Sequence, residues 1–361
     1  MKAAVLREVG QPLQIEDVQI DRPGPREVLI RTAAAGVCHS DLHFLEGAFQ
    51  TALPTVLGHE AAGVVEAVGA EVRTVKPGDH VIACLNAYCG HCDYCLGGRL
   101  NLCVSDETSR AAAQPPRLTR GGQPMAQYLH LSAFAEQILT HEHAVVAIRP
   151  DMPLDRAALI GCAVITGFGA VTRTARLQAG ETVAIIGCGG VGLSAINAAE
   201  IAGAARIIAV DVTPAKQALA RAFGATDFVC SGETNPVKAV RQLTGGGVHQ
   251  ALECVGAATT AEQAFAMTAR GGTATVVGMI PPGQNLSLPG AAFLGEKRLQ
   301  GSFMGSNRFP TDMPRLVELY MQGRLKLDQL ISRRIRLDQV NEAFAEMKTG
   351  EIARSVIVFD A

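Results

Sequence analysis

The chain has 361 residues, of which 48% are apolar and 18% charged, and its formal net charge is −2. That balance describes a folded globular protein of two or three domains and excludes a disordered chain. Its scattered basic residues exclude a nucleic-acid stripe or a polybasic membrane patch, and the charged start MKAAVLREVGQPLQIEDV lacks the apolar centre of a signal peptide.

Short alternating apolar runs fill the first 148 residues: KAAVL, EVLIRTA, AAGVVEAVG and DHVIA, divided by stretches such as RPGPREV and VKPGDHV. This rhythm predicts a compact, mostly β domain. Inside it, GVCHSD carries Cys38, Ser40 and Asp41 at the start of a short helix, and GHEAAG carries His59 and Glu60. Residues 89–103 then concentrate Cys89, Cys92, Cys95 and Cys103 in the spacing C-x2-C-x2-C-x7-C. A cytosolic setting keeps thiols reduced, and a chain this long builds a core without staples. Four thiolates in one loop, with Gly90, Gly97 and Gly98 to fold the backbone back, surround one Zn²⁺ and leave no coordination position open, which makes the site structural. A disulfide pair is the competing reading. His91 has no role in the lobe, Cys84 lies too early for its spacing, and His141 and His143 read as a solvated turn.

Residues 182–199 carry no charge, close to the lower limit for a membrane span. Their glycines, Gly187, Gly189, Gly190 and Gly192, place a turn there instead. ETVAIIG reads as a strand, GGVGLSAINAAEIAGA as a helix, ARIIAVD as a second strand and TPAKQALARAFGA as a helix opening at Thr-Pro. DFV, HQALECVG and GTATVVG continue the strands, with NPVKAVRQLTG and TTAEQAFAMTA as helices, so the segment predicts βαβ units on a parallel sheet. In the G-x-G-x-x-G turn, Gly187 permits the tight bend, Gly189 lets backbone approach a pyrophosphate and Gly192 lets helix and strand pack. The helix N-terminus, with Gly190 and Val191, faces the phosphate charge. Asp211, nineteen residues past Gly192, is placed to accept from a ribose hydroxyl and to repel a 2′-phosphate, favouring NAD over NADP; Lys216 borders the same ribose. A glycine turn serving only packing is the plainer reading. Cys188, Cys230 and Cys254 read as core residues. After Phe303, DMPRLVELYMQ and LDQVNEAFAEM read as amphipathic helices and ARSVIVFD as a closing strand that returns to the first domain.

GCAVITGFGAV adds Cys162. Cys38, His59 and Cys162 would each read alone as packing residues. Together they offer two thiolates and an imidazole, the three-ligand set of a catalytic zinc with an open fourth position.

In order, GVCHSDLH, GHEAAGVVEAVG, KPGDHV, the four-cysteine lobe, GCAVITGFGAV, GCGGVGLS, VDVTPAK and TGEIARSVIVF resemble the zinc-dependent alcohol dehydrogenases of the medium-chain dehydrogenase/reductase family, across essentially the whole chain. The resemblance implies an α/β protein. A discontinuous, β-rich GroES-like catalytic domain would occupy residues 1–163 and 304–361. A Rossmann doubly wound parallel-sheet domain binding NAD would occupy 164–303, with the active site in the cleft between the two. It implies two Zn²⁺ per chain: a catalytic ion on Cys38, His59 and Cys162, with Glu60 close behind it, and a structural ion on the lobe. Asp41 would orient the histidine ligand. Ser40 and His43 match a proton relay, Arg354 a cofactor-phosphate contact, and His39 a position near the pyrophosphate where cofactor affinity depends on pH. Ser40 as a helix cap and His43 as a surface residue are the plainer readings.

By the same resemblance, Phe49, Leu85, Tyr128, Leu129, Met279 and Phe303 line an apolar pocket. The implied reaction is reversible oxidation of primary aliphatic or aromatic alcohols to aldehydes, through a zinc-bound alkoxide and hydride transfer. S-(hydroxymethyl)glutathione dehydrogenases resemble the chain closely too, but they place an Arg four residues past the last lobe cysteine. Here Glu107 stands there, with Arg110 nearby to replace the missing charge if its loop turns inward. A polyol or amino-alcohol dehydrogenase would share the zinc, and a non-catalytic zinc- or nucleotide-binding relative would share the fold. A cytoplasmic homodimer, or a tetramer, formed through the edge strand near residues 299–304 is expected, with no nucleic-acid or membrane partner.

Overall fold

The computed structural model describes every residue except Ala112, Glu351 and Ala361. It divides into two compact units, Met1–Cys162 with Arg308–Gln322 and Ile331–Ala361, and Ala163–Asn307 with Gly323–Leu330.

The first unit is built from two sheets. In the larger, the ten-residue strand Glu27–Gly36 is paired by Ala61–Val68, Gln137–His141 and Arg354–Val358, all antiparallel. The strand Ile331–Ile335 then runs parallel to Arg354–Val358. The closing strand therefore does return to the first unit, with Val356 opposite Gly36. The core under these sheets gathers Val28, Ile30, Ala35, Val65, Val81, Phe134 and Ile357, all at most 2% exposed.

The second unit carries a six-stranded sheet in the order Asp227–Cys230, Arg206–Asp211, Thr182–Ile186, Val248–Glu253, Thr268–Val276 and Arg298–Gly301. Every neighbouring pair is parallel. In chain order this is 3-2-1-4-5-6, the doubly wound arrangement whose order reverses between Thr182–Ile186 and Val248–Glu253. TVAII and RIIAVD are continuous apolar runs because such strands are covered on both faces.

Two details differ from the sequence reading. Residues 304–307 and 323–330 belong to the second unit rather than to the catalytic domain. Asn197 explains the second stretch: its Oδ1 accepts from Lys326 N–H at 3.1 Å and its Nδ2 donates to the Arg324 carbonyl at 3.3 Å. The helix after Asp211 begins at Lys216, because Pro214 and Ala215 form a turn before it, closed by Lys216 N–H donating to the Thr213 carbonyl. A helical stretch, Leu154–Thr174, is long and apolar enough to cross a membrane by composition, yet 78% of its apolar window is buried inside the structure, as in a core helix.

Candidate active site and metal centres

The strand Glu27–Gly36 leads directly into Cys38, the residue that caps the helix His39–Leu45. Asp41, in the first turn of that helix, is fully buried. Its Oδ2 accepts from Cys38 N–H at 3.3 Å, and its Oδ1 accepts from Gly58 N–H at 3.2 Å and from His59 Nδ1 at 2.8 Å. One carboxylate thus joins two of the three distant segments and fixes the His59 tautomer. His59 Nε2 is turned to Cys162 Sγ, 3.2 Å away. Cys162 lies in a π-helical turn, Ile160–Val164, of a kind frequent at functional sites. The donor atoms of Cys38, His59 and Cys162 all lie within 4.8 Å of one another and all three residues are buried.

The electrostatics suit a cation. Burial pushes the Asp41 carboxyl up, opposed by His59. Burial alone would lower His59, but Asp41 outweighs it and holds the imidazole well above its ordinary range. Cys162 hydrogen-bonds to Cys38, which holds the Cys38 thiol well below its usual range against its burial, with Arg354 and His59 adding to the effect. The same contact pushes Cys162 up. A metal binds both sulfurs as thiolates, so loading the site would release protons.

Ser40 Oγ is 3.7 Å from Cys38 Sγ, and the capping position belongs to Cys38 rather than to Ser40. His43 is half-buried, its ring 6.0 Å from Phe49, and His39 is exposed. Glu60, expected close behind the metal, is not one of the three converging donors. Its Oε1 lies 3.8 Å from Arg354 Nη2, and its Oε2 occupies the space a side chain at Gly36 would need, 2.0 Å from a Cβ there. Arg354 is 4% exposed, and its Nη1 donates to the Val37 carbonyl at 2.9 Å. It stands as a buried cation beside Glu60 and the two ligand sulfurs, which raise its pKa against the cost of burial.

In the lobe, Cys89, Cys92, Cys95 and Cys103 bring their sulfurs within 4.8 Å of one another as free thiols. Cys89 N–H donates to Cys103 Sγ and Cys92 N–H to Cys89 Sγ, each at 3.3 Å. Backbone donation from His91 holds Cys89 down at about 6, whereas burial pushes Cys95 up to about 12. Gly90 (φ +93°) and Gly98 (φ +72°) supply the reversals; Gly97 keeps an ordinary negative φ and ends the helix Asp93–Leu96. His91 Nε2 pairs with Glu107 Oε2 at 2.7 Å on the exposed side.

The glycine turn joins the strand Thr182–Ile186 to the helix Gly190–Ile201, which continues through Val191 and Gly192. Gly187 holds φ +94°, and a Cβ at Gly192 would meet the Gly187 carbonyl oxygen at 1.7 Å. Among the described residues nothing lies within 4 Å of a Cβ placed on Gly189, so this side of the turn is open to a ligand's approach. Asp211 Oδ2 accepts from Cys188 N–H at 2.7 Å and Oδ1 from Thr213 N–H at 2.9 Å. Lys216 is 6% exposed, and burial lowers its pKa.

Of the expected pocket residues, Phe49 and Tyr128 stand in one line of rings in the first unit, with Phe44 between them and His59 beyond Tyr128, the centroids 5.8, 5.0 and 6.1 Å apart in turn. Leu85 and Leu129 are partly buried against the core of the same unit. Met279 and Phe303 belong to the second unit, where Phe303 is 53% exposed. Arg110 does not replace the missing cation. Its Nε donates to Glu27 Oε1 at 2.9 Å, its Nη2 to Glu27 Oε2 at 2.6 Å and to the Arg22 carbonyl, and its Nη1 to Asp21 and the Pro115 carbonyl. Gly36, Gly58 and Ser132 support this site without having been singled out as site residues. Gly36 and Gly58 carried a signal, in the GVC and GHE motifs beside ligand residues, and Ser132 carried none.

The family model described as "Alcohol dehydrogenase GroES-like domain" matches residues 24–150, and "Zinc-binding dehydrogenase" matches residues 190–320. An NDMA-dependent alcohol dehydrogenase from Amycolatopsis methanolica is 38% identical over 369 residues, covering 100% of this chain and 99% of that protein. An S-(hydroxymethyl)glutathione dehydrogenase from Haemophilus influenzae is also 38% identical, covering 99% of this chain and 96% of the relative. The crystal structure of benzyl alcohol dehydrogenase from Acinetobacter calcoaceticus superposes with a TM-score of 0.94 at 31% identity, covering 99% of each chain.

Proposed function

We propose a function from one premise: the chain belongs to the zinc-dependent alcohol dehydrogenases of the medium-chain dehydrogenase/reductase family, and is an oxidoreductase that uses zinc and NAD. The substrates we assign are primary alcohols with aliphatic or aromatic tails, oxidised reversibly to aldehydes. One observation carries this choice over the glutathione adduct: the Arg110 guanidinium is committed to Glu27, Asp21 and backbone carbonyls, while Glu107 presents an acid where an anionic conjugate would need a cation. The aromatic line of Phe49, Phe44 and Tyr128 beside His59 suits an apolar tail.

Cys38, His59 and Cys162 would hold the catalytic metal and the four lobe cysteines a structural one. A zinc ion with an open position supplies Lewis acidity that makes a bound hydroxyl acidic near neutral pH. The nicotinamide supplies the hydride acceptor. The chain's own residues do the rest. Asp41 holds His59 Nδ1–H, keeping Nε2 free for the metal. Ser40 Oγ, beside Cys38 Sγ, takes the hydroxyl proton, and His43 passes it towards solvent. Arg354 offsets the charge of two thiolates and Glu60 in a buried site. Asp211 at the end of its strand accepts from the ribose hydroxyls and disfavours a 2′-phosphate. The assembly we assign is a homodimer through the strand Arg298–Gly301, which among the described residues is paired on one side only within its sheet; Leu294, 91% exposed, lies close by in sequence.

NADH formation with a panel of aliphatic and benzylic alcohols and the glutathione–formaldehyde adduct tests this reading. It expects turnover of the alcohols with NAD and little with the adduct; the reverse order would overturn the substrate assignment.

A further inference from the structure

Residues 128–132 hold an unusual backbone beside the metal cluster. Leu129 (φ +46°), His130 (φ +63°) and Ser132 (φ +56°) all lie in the left-handed region, which non-glycine residues avoid. Such conformations persist only where the surroundings over-determine them, and they concentrate at functional sites. Here the coil closes on itself. Ser132 Oγ accepts from Tyr128 N–H at 2.9 Å, and the Tyr128 carbonyl accepts from Leu131 N–H at 2.9 Å and Ser132 N–H at 3.0 Å. The chain then ties to the segment carrying the ligand histidine: Ala133 N–H donates to Gly58 O at 2.8 Å and Phe134 N–H to Leu57 O at 2.9 Å. Gly58, at φ +92°, has no room for a side chain, since a Cβ would sit 2.5 Å from Phe134 N. Tyr128, Leu131 and Ser132 are at most 2% exposed, so no water replaces the Ser132 hydroxyl for Tyr128 N–H.

We propose that Ser132 is a positioning residue for the reaction: its hydroxyl latches the strained coil and so sets where Tyr128 stands relative to His59, and which alcohols the wall admits. The proposal rests on the alcohol dehydrogenase reading above. The plainer view is a tight turn that only reverses the chain. Under that view, glycine, which adopts left-handed backbone freely, should serve as well as or better than serine at residue 132. Under the latch, glycine relieves the backbone but leaves Tyr128 N–H without its acceptor. Asparagine tolerates the conformation and brings a carbonyl that accepts the bond.

The test uses full-length zinc-loaded enzyme carrying Ser132→Gly, Ser132→Ala or Ser132→Asn. The ratio of kcat/KM for benzyl alcohol to that for ethanol is measured, together with the visible absorption of the protein loaded with cobalt(II) in place of zinc. The latch predicts that Gly and Ala each change the ratio at least about tenfold, mainly through KM, and shift the cobalt bands, whereas Asn stays within about twofold of wild type with its bands in place. Wild-type ratio and bands in the Gly variant overturn the latch, and this variant is the decisive one because it carries no strain of its own. Should wild type oxidise neither alcohol, the functional reading fails, and the cobalt bands alone decide: unshifted bands in the Gly variant overturn the latch, and shifted bands restored by Asn uphold it.

Discussion

Glu27→Gln should be among the most damaging single changes in the first unit. Glu27 is 5% exposed and accepts from Gly24 N–H at 2.7 Å, from Arg110 Nη2 at 2.6 Å and from Arg117 Nε at 2.7 Å. Burial pushes its carboxyl up, but Arg110, the Gly24 amide and Arg117 outweigh burial and hold it at about 2, against an ordinary 4.5. The difference, 4.5 − 2, is about 2.5 pKa units, or about 3–4 kcal/mol at about 1.4 kcal/mol per unit. Breaking a buried pair costs about 3–5 kcal/mol by mutation, because the partner charges stay buried, and here two arginines are left. Since the folded pKa is depressed, this contribution is fully present above the ordinary carboxylate range and is lost as pH falls through about 2. Urea unfolding followed by circular dichroism should therefore show a loss of about 3 kcal/mol at neutral pH that shrinks steadily below about pH 4. A loss under about 1 kcal/mol, or one of equal size at pH 2 and pH 7, would refute the argument.

Three further outcomes follow from the same geometry. Ser40→Ala should lower turnover by about 10²-fold or more with zinc content unchanged, as measured by steady-state rates beside metal analysis. Asp41→Asn should weaken zinc binding about 10–100-fold, read by competition with a chelator, because a neutral amide replaces the carboxylate that accepts from His59 Nδ1–H. Arg110→Ala should leave kcat/KM for alcohols within about twofold while reducing stability, because its guanidinium braces Glu27 and Asp21 rather than a substrate.

Much of the site is legible in the sequence, for a physical reason. The lobe cysteines stand out because four of them fall within one loop at metal-ligand spacing, whereas Cys38, His59 and Cys162 become legible only as a set of two thiolates and an imidazole. The glycine turn is equally visible because Gly192 faces a carbonyl that no other residue could approach. Direction is what sequence hides. Glu60 is adjacent to a ligand, yet its side chain turns into the space left by Gly36 and faces Arg354. Arg110 lies close to the lobe in sequence, but the buried Glu27, far away in sequence, claims it. Ser132 gives no signal at all, because Leu129, His130 and Ser132 hold left-handed backbone without a glycine among them. The stretch Gly323–Leu330 joins the second unit through Asn197, with no shift in composition to mark the boundary.

The most direct measurement is metal content set against activity while chelator strips the protein stepwise. We expect two zinc ions per chain, oxidation that disappears as the ion on Cys38, His59 and Cys162 leaves, and recovery when zinc is restored. A chain holding one ion, in the lobe alone, and still oxidising alcohols at full rate would contradict the account.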